Sequence, residues 1–165
     1  MAGLIAALQL TVECFVDPIK EVKRHGADGR VEYIKAELTP NHLPSKSCHQ
    51  GTGTTAAVRA YAKQMGCNED FAGHLVARCL GGVGSETYNI VPQNPSANRH
   101  WFHDVEKKVF DLVHGGKSVS YEIQPIYGSP RLPNRPTVLS YKVTEGNNVL
   151  MTGTYPNPEP DHCTH

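Results

Sequence analysis

Three short blocks in the middle of the chain hold the residues that could do chemistry. Residues 70–82 carry His74 and Arg78, residues 89–94 read Asn-Ile-Val-Pro-Gln-Asn, and residues 98–101 read Asn-Arg-His-Trp. A histidine can act as a general base near neutral pH. An amide oxygen suits a hard cation such as Mg²⁺, and arginine holds phosphate oxygens in pairs. Hydrolysis of a phosphodiester bond needs this set of groups: a base, a metal ion and anion-holding cations.

The three blocks resemble the signature of the DNA/RNA non-specific endonucleases, the ββα-metal or His-Me finger group. The branch in question carries D-x-x-G-H-L-x-A-R-x-x-G-G, then N-x-V-P-Q-N, then N-R-x-W. The match is nearly letter for letter over residues 70–101 and continues more loosely to about Tyr155. A lone G-H-L would mean little, whereas three linked blocks in the right order are a strong signal.

This resemblance implies both a fold and an activity. The fold would be α+β, with a ββα-metal unit backed by an antiparallel sheet. The activity would be Mg²⁺-dependent endonucleolytic cleavage of DNA and also of RNA with little sequence preference, and Mn²⁺ could substitute for Mg²⁺. The rival hypothesis is a non-catalytic, nuclease-like module that binds nucleic acid or a protein partner.

The resemblance also implies roles for single residues. His74 would be the general base, and Asn98 would bind the single metal ion. Glu106 would belong to the same catalytic set. An α-helix rises ~12 Å over the eight residues from Asn98 to Glu106 and turns them ~80° apart. Glu106 is therefore expected to reach the ion through water. The alternatives are a structural histidine, an Asn98 helix cap and a solvated Glu106.

The remaining candidate residues are expected either to hold the catalytic residues in place or to bind the substrate. Asn89 is expected to brace the loop near the histidine, as part of the catalytic set. Arg78 and Arg99 are expected to bind substrate phosphates, with ordinary surface arginines as the alternative. Another branch of the family carries Asp-Arg-Gly-His, but here Phe71 and Ala72 precede the Gly-His pair. The arginine of that motif is missing, Arg78 could compensate, and Asp70 is only a candidate supporting residue.

The balanced charge of the chain limits the ways in which it could bind nucleic acid. The 165 residues carry 16 basic and 16 acidic side chains, which argues against coating nucleic acid by bulk charge. A local basic groove could still form, and the sequence offers Arg78, Arg99, Lys107 and Lys108 for it. The expected partners are DNA and RNA, with no membrane partner. A protein inhibitor and the oligomeric state are left open by the residues.

The elements that must position the site follow from the patterning. Alternation predicts a strand over residues 31–39, and helical spacing predicts a helix capped by Thr54 or Thr55 and ended by Gly66. The motif itself predicts strands over residues 71–78 and 88–91 and a helix over residues 97–113, with Trp101, Val105, Val109 and Leu112 on one face. Strands are expected over residues 118–127, 137–144 and 149–155, with a hairpin turn at Gly146-Asn147.

The sequence also predicts where the domain begins and ends and what state its cysteines are in. Residues 1–16 form an apolar segment that could be a truncated signal, residues 17–155 a single nuclease domain, and residues 156–165 a polar, frayed tail. The five cysteines include no C-x-x-C pair, which makes a zinc finger unlikely. Cys48 and Cys67 bracket the first helix and form either a disulfide or two free thiols, and Cys79 is expected to be a small buried hydrophobe. A secreted location is expected, with an intracellular one as the alternative.

Overall fold

The described residues fold as a five-stranded sheet, a separate two-stranded antiparallel pair and three α-helices. A computed structural model describes residues 16–26, 29–49 and 53–165; the apolar segment up to residue 15, with Cys14, lies outside the described residues. The strands are β1 (Ile19–Arg24), β2 (Val31–Leu38), β3 (Phe71–His74), β4 (Ile90–Gln93), β5 (Val119–Tyr127), β6 (Pro136–Glu145) and β7 (Asn148–Pro156). The helices are α1 (Ala56–Met65), α2 (Pro95–Trp101) and α3 (Lys107–His114).

The large sheet is antiparallel throughout, with strand order β1-β2-β5-β6-β7. The predicted strands over residues 31–39, 118–127, 137–144 and 149–155 are confirmed to within about two residues at their ends. Gly146 has a φ of +55° in the turn between β6 and β7, a conformation that glycine adopts without strain. The sequence analysis did not predict β1. The α+β class with an antiparallel sheet is confirmed.

The helical segment that follows β4 packs one face on this sheet. Trp101, Val105 and Val109 are buried, as helical spacing predicted, in the same cluster as Ile34 of β2 and Ile123 of β5. The indole of Trp101 also makes edge-to-face contacts with the rings of Tyr141 and Tyr155 at 5.5 and 5.7 Å. Such contacts add to the stabilisation from burial, and they fix the helix against the sheet.

The β3–β4 hairpin and α1 form a second, smaller layer. Residues of β3 and β4 pair antiparallel from Phe71↔Gln93 to His74↔Ile90. Val58 and Ala62 of α1 pack against Ile90 in a separate apolar cluster. The side chain of Thr55 accepts a hydrogen bond from the backbone N–H of Val58, which confirms the predicted helix start. The hairpin followed by α2 gives the expected ββα order.

The first motif strand is shorter than the sequence predicted, and the second has the predicted length but begins two residues later. β3 ends at His74 rather than continuing to Arg78, because the side chain of Asn89 takes over the backbone pairing of the following residues. The N–H of Val76 donates to Asn89 Oδ1 at 2.8 Å, and Asn89 Nδ2 donates to the carbonyl of Val76 at 2.9 Å. Arg78 then begins a 3₁₀ turn, Arg78–Leu80, which ends at Gly81 with a φ of +88°.

The helix predicted over residues 97–113 begins earlier and is not uniform. Asn94 is the N-cap, since its Oδ1 accepts hydrogen bonds from the backbone N–H groups of Ser96 and Ala97. The alternative that Asn98 caps the helix is therefore wrong. A π-helical turn, Phe102–Glu106, separates α2 from α3. Turns of this kind are rare and concentrate at functional sites.

The predicted Cys48–Cys67 disulfide is wrong. The bonds are Cys48–Cys79 and Cys67–Cys163, with Cα–Cα distances of 5.0 and 5.1 Å. A helix of ten residues is ~15 Å long, so cysteines flanking α1 lie too far apart for a bond that needs Cα atoms within about 7 Å. The prediction of Cys79 as a buried free thiol is correct only for its burial.

The expectation of a frayed tail over residues 156–165 is also wrong. Asn157 is buried, and its amide donates to the carbonyls of Pro92 and Pro136. Cys163 is held by its disulfide, and Thr164 donates to Glu69 through both its N–H and its hydroxyl. The tail is thereby attached to the loop that leads into β3. Within the described residues, every helix is too short or too polar to cross a bilayer.

Candidate active site

Five of the predicted site residues line one open cavity of roughly 630 Å³ between α1, β3 and the α2–π segment. They are His74, Arg78, Asn98, Arg99 and Glu106. The sixth, Asn89, lies behind the cavity wall. A volume of this size is typical of ligand and substrate sites. The ββα unit thus brings together residues that are up to 32 positions apart in the chain.

His74 ends β3 and lies against a loop in which only glycine fits. A Cβ at Gly84 would lie 1.8 Å from the carbonyl oxygen of Gly53 and 3.0 Å from Nε2 of His74. That Nε2 is buried and has no hydrogen-bond partner among the described residues. Burial, helped by the nearby Arg78 guanidinium, lowers the pKa of His74 to about 4. The imidazole is therefore neutral at pH 7 and can accept a proton there.

Asn89 is fully buried and acts as a structural brace. Besides its two bonds to the backbone of Val76, its amide donates to the carbonyl of Val83 at 2.9 Å. The backbone N–H of Leu75 donates to the Asn89 carbonyl at 2.9 Å. These bonds hold the segment that follows His74 and the glycine loop beside it. Asn89 has no access to the cavity, which favours the bracing role over direct participation.

Asn98 and Glu106 come from the first and the second part of the helical segment. The π turn adds residues to the helical turn, so the rotation from Asn98 to Glu106 is smaller than in the ideal α-helix assumed from sequence. Both side chains line the same cavity, Asn98 half-buried and Glu106 only 6% exposed.

Glu106 is in an environment that disfavours its charge. Burial raises the pKa of its carboxyl group to about 8, and the indole N–H of Trp101 offsets only part of that rise. Glu106 Oε1 and Trp101 Nε1 are both buried without a hydrogen-bond partner of normal geometry among the described residues. A nearby cation would favour the ionised carboxylate. The amide and this unpartnered carboxylate oxygen are a donor set that fits Mg²⁺ or a similar hard divalent ion.

The basic residues of the cavity differ in part from the expected ones. Arg78 and Arg99 are exposed at its edge, as predicted. Lys107 and Lys108 do not line it, and Lys107 instead contacts Asp111 at 3.2 Å. In their place α1 contributes Arg59 and Lys63, which the sequence analysis missed. The signal was available, because these two residues are four apart and so share one face of a predicted helix.

Asp70 has a structural role. Its carboxylate forms a buried, two-pronged ion pair with Arg135 of the loop before β6, at 2.8 and 2.9 Å. The Oδ2 atom also accepts from the backbone N–H of Cys67 at 2.8 Å. Arg135 in turn donates to the carbonyls of Asn157 and Pro158. Asp70 therefore anchors the start of β3 to the tail.

The fold and the ββα order define a class of fold, that of the ββα-metal nucleases. The sequence pattern of one family, described as DNA/RNA non-specific endonuclease, matches residues 24–145. The chain belongs to the DNA/RNA non-specific endonuclease family.

A curated relative and several solved structures agree with this assignment. The chain is 33% identical over 148 residues to a protein of Dickeya dadantii (strain 3937) named probable deoxyribonuclease RhsA. The match covers 87% of this chain but 10% of that protein, so the chain spans about a tenth of its relative's length.

Among solved structures, NucA from Streptococcus agalactiae with magnesium ion bound superposes with a TM-score of 0.57 at 15% identity, covering 89% of this chain and 73% of that one. Sda1 nuclease with bound zinc ion gives a TM-score of 0.60 at 14% identity, covering 87% and 76%. At these identities the likeness establishes the fold.

Proposed function

We propose that the chain is a Mg²⁺-dependent endonuclease that hydrolyses phosphodiester bonds of DNA, and also of RNA, with little sequence preference. One observation carries this proposal. A neutral histidine with an unpartnered Nε2 lines the same cavity as an oxygen-donor pair and four basic side chains. The relative named as a deoxyribonuclease supports DNA as a substrate.

His74 is the general base of this proposal. Because its imidazole is neutral at pH 7, it can take a proton from the water molecule that attacks phosphorus. The Asn89 bonds hold the backbone that follows His74, and the Gly84 loop packs against Nε2 of the ring. General base catalysis of this kind contributes ~10²–10⁴ in rate.

Asn98 and Glu106 are the residues that would hold the metal ion. Asn98 would bind it directly through its amide oxygen, and Glu106 would do so through an intervening water. When bound, the ion supplies positive charge that stabilises the added negative charge of the phosphate in the transition state. Mg²⁺ keeps several of its waters in protein sites, so two protein groups are sufficient. Mn²⁺ is expected to substitute, because it accepts the same oxygen ligands.

Arg78 and Arg99 would hold non-bridging oxygens of the substrate backbone. Both are exposed at the edge of the cavity, where a long polymer can reach them. Phosphate contacts carry no information about base identity. An enzyme that depends on them therefore cuts with little sequence preference.

We also propose that the protein works in an oxidising compartment, as a secreted nuclease would. Two disulfides are built into the fold. Such bonds persist outside the reducing cytosol. A solved structure described as an extracellular endonuclease superposes with a TM-score of 0.51 at 15% identity.

The test of the proposed function is cleavage of supercoiled plasmid DNA and of a structured RNA, run in parallel. We expect nicking and then fragmentation of both in Mg²⁺, and none in excess chelator. Restoration by Mg²⁺ added back in excess of the chelator controls for damage to the protein. Binding of both polymers without cleavage in Mg²⁺ or Mn²⁺ would instead establish the non-catalytic module.

A further inference from the structure

We infer that Phe71, Arg59 and Lys63 form a subsite for an unpaired nucleotide beside the catalytic residues. The aromatic ring would stack on the base, and the two cations would hold the adjoining phosphates. This inference deepens the proposed function and rests on it for the identity of the ligand as a nucleic acid. It adds a preference that the phosphate contacts alone do not give, namely for single-stranded or locally opened substrate.

Phe71 is the first residue of β3 and is three positions before His74. Its side chain is 48% exposed, and it lines the cavity. Of the large apolar side chains in the described part of the chain that are this exposed, Phe71 alone is aromatic; the others are Val16, Ile126 and Val149. Burying a phenylalanine would stabilise the fold by ~1.5–3 kcal/mol. The fold forgoes that stabilisation here and leaves about half of the Phe71 side chain exposed at the cavity.

Arg59 and Lys63 supply the matching charge. They are one helical turn apart on α1, both are exposed, and both line the cavity. Val58 and Ala62, the residues before each of them, are buried and fix this face of α1 towards the hairpin. Arg59 also donates to the carbonyl oxygen of Thr54, another cavity residue, which orients its guanidinium group.

Three acidic residues line the same cavity as these cations, namely Glu69, Asp70 and Glu106. Asp70 is paired with the buried Arg135, and Glu106 is one of the two proposed metal-holding residues. Glu69 lines the cavity, and hydrogen bonds from the Thr164 N–H and hydroxyl, with a smaller effect of Lys63, lower the pKa of its carboxyl group. The carboxylate is thus already occupied by the tail. Apart from these three acids, the charged side chains that line the cavity are the cations Arg59, Lys63, Arg78 and Arg99.

An exposed aromatic ring among cations is the arrangement by which proteins bind single strands. Stacking of a base on an aromatic side chain is worth ~1–3 kcal/mol per base and tolerates any sequence, because every base has a π face. In a duplex those faces are covered by neighbouring base pairs. The ring therefore favours unpaired nucleotides, while Arg59 and Lys63 act on either form.

The experiment measures binding rather than cleavage, in the full chain carrying His74→Ala so that the substrate survives. Fluorescence anisotropy gives the affinity for a short labelled single strand and for the corresponding duplex, and a 2-aminopurine base in the single strand reports stacking by its quenching. We expect Phe71→Leu to weaken single-strand binding by ~5–100-fold. Its loss on the duplex should be smaller, and the quenching should disappear. Phe71→Trp should retain both properties.

Two matched controls separate the subsite from general effects. Ile126→Ala removes another exposed apolar side chain, outside the cavity, and should leave the ratio of single-strand to duplex affinity unchanged. Lys63→Gln should reduce the salt dependence of single-strand binding by about 0.7 in log–log slope, whereas Lys108→Gln, outside the cavity, should not.

The outcomes distinguish this inference from the proposed function. Phe71→Leu could have the same ratio of single-strand to duplex affinity as the parent His74→Ala protein and still quench 2-aminopurine. That result would overturn the subsite even if the wild-type protein cleaves DNA. If Phe71→Leu loses both the preference for single strands over duplex and the quenching, the subsite is supported even if the wild-type protein does not cleave. Failure of the His74→Ala protein to bind either form of nucleic acid would overturn it as well.

Discussion

The half-buried His74 and the buried Glu106 show how the cavity changes ordinary titratable groups. Burial lowers the pKa of His74 to about 4 and raises the pKa of Glu106 to about 8. In each case the neutral form is favoured, because a charge is poorly solvated there. His74 is thereby ready to accept a proton at neutral pH. The carboxyl group of Glu106 would be ionised at neutral pH only if a cation lay close to it.

The lowered pKa of His74 predicts an unusual pH profile. Protonation of the base removes activity, so kcat/KM for plasmid cleavage should stay level from pH 8 through the ordinary histidine pKa of about 6.5. It should fall only as the pH approaches about 4. The measurement is initial rates in saturating Mg²⁺, with circular dichroism at each pH to confirm the folded state. An acid limb centred near pH 6.5 in the folded protein would show that the base is not buried as described.

The two proposed metal-holding residues should differ in their effects. Asn98→Ala should abolish most activity, because it removes the direct ligand. Glu106→Ala should cost less and be partly recovered at high Mg²⁺, since a contact through water is easier to replace. The measurement is the Mg²⁺ dependence of the cleavage rate, with Asp104→Ala as a control on an exposed acid of the same helical segment. A larger and unrecoverable loss in Glu106→Ala would reverse the two roles.

Sequence predicted the candidate reactive residues but not their environment. His74, Asn98 and Glu106 were recognised from their motif positions, and the structure places all three at one cavity. Their burial depends on residues from distant segments, which periodicity does not reveal. Phe71 illustrates the same point, because its exposure is visible only once β3 is placed at the cavity edge.

At the scale of elements, side chains of the motif replace regular backbone structure near the site. Asn89 pairs with the backbone of Val76 where a longer β3 had been predicted, and the π turn interrupts a helix predicted as continuous. Alternation and helical spacing give the type of an element. They do not show where a buried amide or an extra residue per turn interrupts it, and those interruptions lie beside the catalytic residues.

The ion pair of Asp70 and Arg135 should be the most important polar contact for the placement of β3. Both side chains are almost completely buried. Arg135→Ala should lower the free energy of unfolding by ~3–5 kcal/mol, because it leaves a buried carboxylate unpaired. Urea denaturation is the measurement.

Arg131→Ala is the matched control, since Arg131 pairs with Glu159 at the surface. Its loss should be ~0–1 kcal/mol. The double variant Asp70→Ala with Arg135→Ala should be less destabilised than additivity predicts. Equal losses for Arg131→Ala and Arg135→Ala would contradict the buried role.

At the scale of the whole molecule, the tail beyond the family pattern completes the structure. The pattern ends at residue 145, yet Asn157 attaches the tail to β4 and β6, and Cys163 and Thr164 attach it to the segment before β3. The sequence suggested fraying because the tail is polar and rich in proline. A single buried asparagine and a disulfide between distant cysteines override that composition, and neither partner is visible from local sequence.

The disulfide of the tail should contribute more to stability than the other one. Cys67 and Cys163 are 96 residues apart, whereas Cys48 and Cys79 are 31 apart. In the chain-entropy treatment the longer loop stabilises by ~1 kcal/mol more, and removing either native bond costs ~2–5 kcal/mol. Each pair is replaced by serines, and thermal unfolding is compared with that of the oxidised wild-type protein, which has both bonds. A smaller loss for the Cys67/Cys163 pair would contradict the proposed fastening of the tail.

The central claim is that His74 is the general base of a metal-dependent nuclease. Its most direct test is the single-turnover rate of plasmid cleavage by His74→Ala in saturating Mg²⁺, compared with the wild-type protein under the same conditions. The rate should fall by ~10²–10⁴, while the circular dichroism spectrum and the affinity for DNA remain near those of the wild type. Cleavage by the folded variant at the wild-type rate would contradict the claim.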